Sequence, residues 1–386
     1  MSAPDTAATP RCPHFGACGG CQHQDLVYGE QLRLKRTHLE ALLQQAGVAT
    51  TAELTIHSAT PWEYRNRIRL RLQRMEGVLR FGYNRPNSTE FLPITTCPIA
   101  APALLRVAEA LLAAIKLDRD AEFWLNAASE VELFCDHDAA RVQMTLHCAP
   151  RTKAPKGSFD HMLAAVQSLA PMVVGAAAIA ADPRTGPTGR TLASSGANGL
   201  GYRVLDQTYW ITRGGFFQVN RFLIETLVHL VCDGRNGGVV WDLYSGVGLF
   251  SLMLARTFGK VTAVEANPTA VADVRAALHR LGPRHAAVES TTLDFLQSSV
   301  VQRERPELVV LDPPRAGTGA EACELLLRLE PRSIVYVSCD PVTLTRDLGV
   351  LQKHYQLTAC HLVDLFPQTS HIETVAILHR ITYPTS

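Results

Sequence analysis

Three short segments in the last third of the chain carry residue types that can do chemistry. The first is Ile334-Val335-Tyr336-Val337-Ser338-Cys339-Asp340-Pro341, a cysteine just past an apolar run. A thiolate is the most nucleophilic group a protein offers near neutral pH. A lone cysteine at a strand end is more often structural, so its neighbours decide. The second segment, Leu308–Leu311 followed by Asp312-Pro313-Pro314-Arg315-Ala316-Gly317, reads as a strand entering a rigid turn. Proline fixes φ, so Asp312 is presented in a defined geometry; the plain alternative is a surface turn. The third, Asp364 to Thr374, brings Glu373 directly ahead of the apolar run Val375–Leu378. That order can set a carboxylate at the same sheet edge as Cys339, where open α/β sheets place their ligands.

A cofactor site is suggested upstream. Val239-Val240-Trp241-Asp242-Leu243 runs into Tyr244-Ser245-Gly246-Val247-Gly248, a buried strand ending in a glycine turn. Glycine lets the backbone turn sharply and approach a ligand closely. The next strand, Val261–Glu265, ends in an acid able to accept from both ribose hydroxyls of an adenosine group. Dinucleotide enzymes require a third glycine to wrap a pyrophosphate, and here Ser251 follows instead. The D-x-x-x-G-x-G form resembles the first motif of S-adenosylmethionine methyltransferases.

Cys12-x5-Cys18-x2-Cys21 and the later Cys97-Pro98 supply four thiols. Zinc and iron–sulfur clusters both accept four thiolates, and spacing alone leaves the two open.

The elements that must position these groups fall into two patterns. Residues 25–47 read as an amphipathic helix through Leu32, Leu39, Leu42 and Leu43, closed by Gly47. From about 54 to 210 the pattern is mainly β. Arg65–Arg74 alternates basic and apolar residues, and Glu130–Leu133 with Val142–His147 form a strand pair. Helices are expected at 101–116 and 158–169, and a loop or exposed hairpin at 181–200. After about 215, a helix at 221–232 and strands at 238–243, 260–265, 308–312 and 333–338 alternate with helices, including one at 249–257. This is the signature of a doubly wound parallel sheet. The expected fold is therefore α/β: a Rossmann-like domain over 211–386, preceded by a helix and mainly β domain over 25–210 that also supplies Cys97. Residues 1–24 would be a disordered start, to about residue 11, and a cysteine-rich loop.

Taken together, Phe216-Phe217-Gln218-Val219-Asn220, Asp242–Gly248, Asp312–Gly317, Ser338–Pro341, His371–Thr374 and the N-terminal cysteines resemble the RNA uridine-5-methyltransferase family. That family includes the 23S ribosomal-RNA and transfer-RNA enzymes, and the segments span nearly the whole chain in the family's order. The resemblance implies Cys339 as nucleophile and Glu373 as base. It implies S-adenosylmethionine as cofactor, with Gln218, Tyr244 and Glu265 at contacting positions and Asp312 on the uracil edge or the cofactor. Leu249 stands where the family often has Asn, so no contact is carried over there. It also implies that Cys12, Cys18, Cys21 and Cys97 hold a four-iron, four-sulfur cluster. Many relatives carry a small β-barrel ahead of the cysteines; with eleven residues before Cys12, that module is expected to be absent. The expected target is a uridine of 23S ribosomal RNA, with the T-loop uridine of transfer RNA as the alternative.

Bulk properties set the remaining expectations. Of 386 residues, 47% are apolar, and the formal net charge is +1. RNA binding would then rest on a local patch, since phosphate contacts act within about 10 Å. On a strand Arg65, Arg67, Arg69 and Arg71 share one face, and Lys35 and Arg36 extend the basic character. Phe216 and Phe217 could line a base pocket or belong to a core. No run approaches the roughly 20 apolar residues of a membrane span, and no signal pattern opens the chain, so a cytoplasmic monomer is expected. An iron–sulfur redox protein would leave Cys339 and Glu373 unexplained, and a non-catalytic RNA-binding module would not require them intact.

Overall fold

A computed structural model describes residues 6–49, 53–153, 155–182, 186–303 and 305–381. Two compact units result, neither continuous in sequence. One comprises Met1–Val27, Thr60–Val204 and Trp210–Arg221; the other comprises Tyr28–Ala59, Leu205–Tyr209 and Phe222–Ser386.

The first unit is built on a seven-stranded sheet. Its order is Phe91–Pro93, Val78–Asn84, Arg67–Met75, Ala128–Cys135, Val142–Cys148, Val173–Asp182 and Gly186–Gly196. The alternation in Arg67–Met75 has the expected result. Ile68, Leu70 and Leu72 are buried in a core with Val107, Leu111, Trp124 and Met162, while the arginines take the opposite face. Three helices cover the core: Pro102–Ala114, Arg119–Ala127 and Ser158–Leu169. The middle one was not expected. Its signal is Asp118, whose side chain caps the helix by accepting from Ala121 N.

The second unit holds an eight-stranded sheet in the order Leu54–His57, Tyr355–Val363, Glu373–Arg380, Ser333–Ser338, Leu308–Leu311, Gly237–Leu243, Phe258–Glu265 and Ala286–Glu289. Neighbours are parallel except on both sides of Glu373–Arg380, which runs antiparallel. The order reverses between Gly237–Leu243 and Leu308–Leu311, so a switch point lies beyond their carboxyl ends. Local chemistry starts the helices that follow. Asn267 accepts from Thr269 N and Ala270 N ahead of Pro268–Leu281, and Asp340 accepts from Val342 N and Thr343 N ahead of Pro341–Leu351. Both place proline at the first turn, where its missing N–H costs nothing.

Several expectations need correction. The helix Tyr28–Gln45 and the segment through Ala59 belong to the Rossmann-like unit, not to the β-rich one. Leu39, Leu43 and Leu54 pack into the core with Trp241 and Leu311, and Leu54–His57 adds a parallel edge strand to Tyr355–Val363. Conversely, Trp210–Arg221 joins the β-rich unit, where Arg65 bridges Asn220. Of the expected disordered start, residues 1–5 lie outside the described residues, but Ala7 pairs with Leu26 and Thr6 O accepts from Val27 N. Of the two alternatives for 181–200, the hairpin is found: Gly186–Gly196 pairs antiparallel with Val173–Asp182, with 183–185 outside the described residues. The helix expected at 249–257 narrows to Ser251–Leu254. Among the described residues no helix is long and apolar enough to cross a membrane.

Candidate active site and cofactor cleft

Four positions at the carboxyl edge of the eight-stranded sheet carry the candidate side chains. Tyr244 follows the strand Gly237–Leu243, Asp312 follows Leu308–Leu311, and Cys339 follows Ser333–Ser338. The fourth, Glu373, opens its strand. Because that strand is antiparallel, its beginning lies where the parallel strands end: Ser338 stands opposite Thr374, one residue before Cys339 and one after Glu373.

The electrostatics report the same convergence. Burial pushes the Cys339 thiol up to about 11; the Glu373 and Asp312 carboxyls add to this, and the Arg315 guanidinium opposes it. Glu373 is buried, and burial with the Asp312 charge holds its carboxyl well above the usual range. Three acids thus crowd one small volume with one guanidinium near the thiol. The arrangement favours the protonated thiol, because a thiolate would face two carboxyls with little water. Nothing in the Asp312–Gly317 motif by itself marks Arg315 as a neighbour of the thiol.

The turn bearing Asp312 and Arg315 is braced from the helix Pro341–Leu351. Buried Asp347 Oδ2 accepts from Thr318 N (2.8 Å), Gly319 N (3.2 Å) and the Tyr336 hydroxyl (2.7 Å). Thr343 Oγ1 donates to Arg315 O at 3.1 Å, and Arg346 Nη2 donates to Ala316 O at 2.9 Å. Gly317 has φ +74, and a Cβ there would sit 2.7 Å from Arg346 Nη2 and Asp347 Oδ2. A glycine is therefore required for this close approach.

The glycine turn after Leu243 has the features of a ligand cradle. Tyr244, Gly246 and Gly248 all have positive φ. A Cβ on Gly246 would meet nothing within 4 Å, whereas one on Gly248 would strike Val274 Cγ2 at 2.5 Å. Gly246 thus borders open space, and Gly248 serves the packing against the helix Pro268–Leu281. Glu265 Oε2 accepts from Gly246 N at 3.0 Å and Oε1 from Asn267 N at 2.7 Å. Each carboxylate oxygen has two lone pairs, so both retain capacity for a hydroxyl. Asp242 is fully buried and pushed up to about 7 by that burial. Its Oδ1 and the Ser245 Oγ are buried polar atoms with no partner among the described residues. Orphaned polar atoms beside open space suit a polar ligand. These residues fit an adenosine cofactor with an amino-acid tail.

Gln218 lies in the other unit, buried, with its carbonyl accepting from Asn66 Nδ2 at 2.9 Å. The adjoining phenylalanines divide. Phe217 is 3% exposed and packs on Tyr202 with ring centroids 4.6 Å apart, while Phe216 is 67% exposed.

Cys12, Cys18, Cys21 and Cys97 are half-buried free thiols of the first unit. The loop is tied down by Cys12 N donating to Gln24 Oε1 (3.0 Å) and Thr95 N donating to His14 Nε2 (3.0 Å). Burial raises the Cys21 thiol to about 11, with Cys97, Cys18 and Cys12 adding; Cys97 is raised in turn by burial and by Cys12. Among the described residues no group of three or more His, Cys, Asp or Glu is arranged to hold a metal ion. A single zinc would need all four sulfurs about 2.3 Å from one point. A cluster instead carries its thiolates on separate irons of a larger inorganic core.

The basic patch is the largest correction. Glu130 and Glu132 stand on the neighbouring strand opposite Arg71 and Arg69. Arg67 pairs with Glu132 at 3.3 Å, donates to Gly215 O and lies over the Phe134 ring; Arg69 pairs with Glu130. Inspection of one strand could not reveal acids supplied by the next. Lys35 is buried against Asp364, and Arg36 pairs with Glu40 and Glu53.

A model of the tRNA (uracil-5-)-methyltransferase family matches residues 202–381. A protein of Enterococcus faecalis described as an uncharacterized RNA methyltransferase is 30% identical, over 96% of this chain and 84% of the relative. One of Aquifex aeolicus with the same description is 30% identical over 98% and 85%. The fold resembles that of the Pyrococcus abyssi tRNA (uracil-54, C5)-methyltransferase solved with S-adenosyl-L-homocysteine. That likeness has a TM-score of 0.73 at 23% identity, over 94% of this chain and 86% of the other.

Proposed function

Because the chain belongs to the RNA uracil-5-methyltransferase family, a class of S-adenosylmethionine-dependent RNA methyltransferases, we propose that it methylates C5 of a specific uridine through a covalent adduct on Cys339. The observation that carries this reading is the antiparallel strand that starts at Glu373 and meets the end of the Cys339 strand. A nucleophile and a buried carboxyl of raised pKa then share one sheet edge with Asp312.

C5 of uracil is a weak nucleophile. The Cys339 thiol gives its proton to water, and the thiolate Sγ adds to C6, forming an S–C bond and sending the ring electrons toward O4. S-adenosylmethionine, when bound, supplies a sulfonium methyl to the C5 that this addition activates. Glu373 then takes the C5 proton, C5=C6 re-forms, and the S–C6 bond breaks to release Cys339. A buried carboxyl whose pKa is raised is a stronger base for that proton transfer than an ordinary carboxylate. Asp312 hydrogen-bonds the uracil edge or the cofactor from the strand end. Glu265 receives the ribose hydroxyls, Tyr244 flanks the cleft, and Gln218 is assigned to the cofactor by the family motif. The target base leaves its stack to reach Cys339.

In the first unit, Cys12, Cys18, Cys21 and Cys97 hold a four-iron, four-sulfur cluster that staples the N-terminal loop to the β-rich sheet. The family resemblance of the cysteine spacing and the purely thiol donor set support this assignment.

Two RNAs are candidates, a 23S ribosomal-RNA uridine and the T-loop uridine of transfer RNA, and no motif in the chain separates them; the likeness to a transfer-RNA (uracil-54, C5)-methyltransferase supports the second. The test incubates the protein with S-adenosylmethionine and each RNA unmodified, with 5-fluorouridine RNA alongside. Fluorine at C5 cannot leave as a proton, so an adduct stable on a denaturing gel accumulates and is lost in Cys339→Ala. The RNA that gains 5-methyluridine names the substrate. Neither adduct nor product with either RNA would refute this reading.

A further inference from the structure

The segment Asp364 to Ile372, which leads into Glu373, is held by one face of the helix Tyr28–Gln45. Lys35 Nζ donates to Asp364 Oδ1 at 2.6 Å and to Phe366 O at 2.9 Å. The Tyr28 hydroxyl donates to Asp364 Oδ2 at 2.7 Å. Gln31 and Gln368 are joined reciprocally: Gln31 Nε2 donates to Gln368 Oε1, and Gln368 N donates to Gln31 Oε1, both at 3.0 Å. Positions 28, 31 and 35 lie three and four residues apart and so share a helix face.

The placement of these groups is costly. The Lys35 and Asp364 side chains are 2% and 0% exposed. Burial pushes the lysine down, and the Asp364 carboxylate opposes that. A buried ion pair is weak as a source of stability, since desolvation offsets most of the attraction; its best-attested use is to specify one arrangement. What is specified here is a segment with little regular structure of its own. Gln368 sits at φ +69, where a non-glycine residue is strained. Thr369 folds back so that its Oγ1 donates to Phe366 O and accepts from His371 N. Two residues later the chain enters the strand with Glu373, and His371 Nε2 lies 3.5 Å from Arg315 Nη2.

We infer that Lys35, with Tyr28 and Gln31, is a positioning residue for the base: the helix fixes the Asp364–Ile372 segment so that Glu373 meets the C5 proton of the adduct. This rests on the proposed reading of Cys339 and Glu373. It assigns to the N-terminal helix a role in proton abstraction, with no contact to substrate. The role is specific to the second half of the reaction, in which the C5–H bond breaks, its proton goes to Glu373, and the C–S bond cleaves.

The test separates the two halves. Lys35→Met, Lys35→Arg, Tyr28→Phe and Gln31→Met are each incubated with S-adenosylmethionine and ordinary uridine RNA. The readout is the ratio of covalent adduct to released methylated RNA. In Lys35→Met the ratio should rise roughly ten- to hundredfold, as a displacement of about 1 Å of a reacting group can cost that much. Lys35→Arg, which keeps the cation, should return the ratio toward wild type. Tyr28→Phe and Gln31→Met should shift it in the same direction by less, and they serve if Lys35→Met does not fold. A lower total rate with the wild-type ratio in every variant would reduce the helix to a structural element and overturn the inference. Failure of wild-type protein to trap 5-fluorouridine RNA would instead bring down the chemistry beneath it.

Discussion

Thr374 faces Ser338 across an antiparallel pair, and this register delivers Glu373 and Cys339 to one edge of the sheet. In a parallel arrangement Glu373 would begin its strand at the opposite edge. The direction of one strand therefore makes the base and the nucleophile neighbours, and the consequences can be measured.

Glu373→Gln keeps the shape of the base and removes its charge. Addition to C6 should persist while release fails, so covalent adduct accumulates on ordinary uridine RNA. Turnover should fall by about 10²–10⁴-fold, the usual contribution of a general base. Turnover near wild type would assign the proton to another group.

The same substitution has a pH-dependent effect on stability. The Glu373 carboxyl is raised in the folded state, so between its unfolded and folded pKa the native protein binds more protons than the unfolded chain. Stability from this group then falls as pH rises through that window. Glu373→Gln removes the dependence. Its melting temperature relative to wild type should be higher at pH 8 than at pH 4.5, and equal differences at both would contradict the burial argument.

Cys339 should alkylate slowly in the free protein. Its thiol is pushed up to about 11 by burial and two carboxyls, and the thiolate fraction rises tenfold per pH unit below the pKa. Asp312→Asn removes one of those charges, so iodoacetamide should modify Cys339 faster at pH 8 than in wild type. Arg315→Gln should act in reverse, because it removes the opposing cation. Mass spectrometry of the labelled peptide reads both, and rates ordered the other way would show that the carboxyls do not govern the thiol.

The arginine stripe should matter to folding more than to RNA. A lost phosphate contact lowers the log–log salt slope of RNA binding by about one. Arg67 is engaged by Glu132, Gly215 O and Phe134, and Arg69 by Glu130. Arg67→Ala should lower the melting temperature and leave the slope nearly unchanged. A slope reduced by a full unit would restore the phosphate-binding role expected from the strand alone.

Cys18→Ser should lose bound iron and thermal stability together, measured by metal content and by unfolding of the purified protein. An iron-free variant with wild-type stability would remove the stapling role.

The strand ends that carry Cys339, Asp312 and Glu373, and the strand–turn–strand around Asp242–Gly248 and Glu265, were legible in the chain, because these patterns are local and the backbone there has few alternatives; the roles proposed for them came from the family resemblance. What failed was anything set by a partner distant in sequence. The acids opposite Arg69 and Arg71 lie some sixty residues on and had no signature near the arginines. Lys35 looked like a surface cation, since its partner Asp364 is 329 residues away. The sequence names Glu373 and Asp312 but cannot show that they and burial raise the Cys339 thiol. Residue types and short spacings determined the chemistry available to this protein. Tertiary structure decided which charges are buried together, and hence which groups are protonated, paired or free to act, because desolvation and Coulomb energy depend on distances in space that chain separation does not specify.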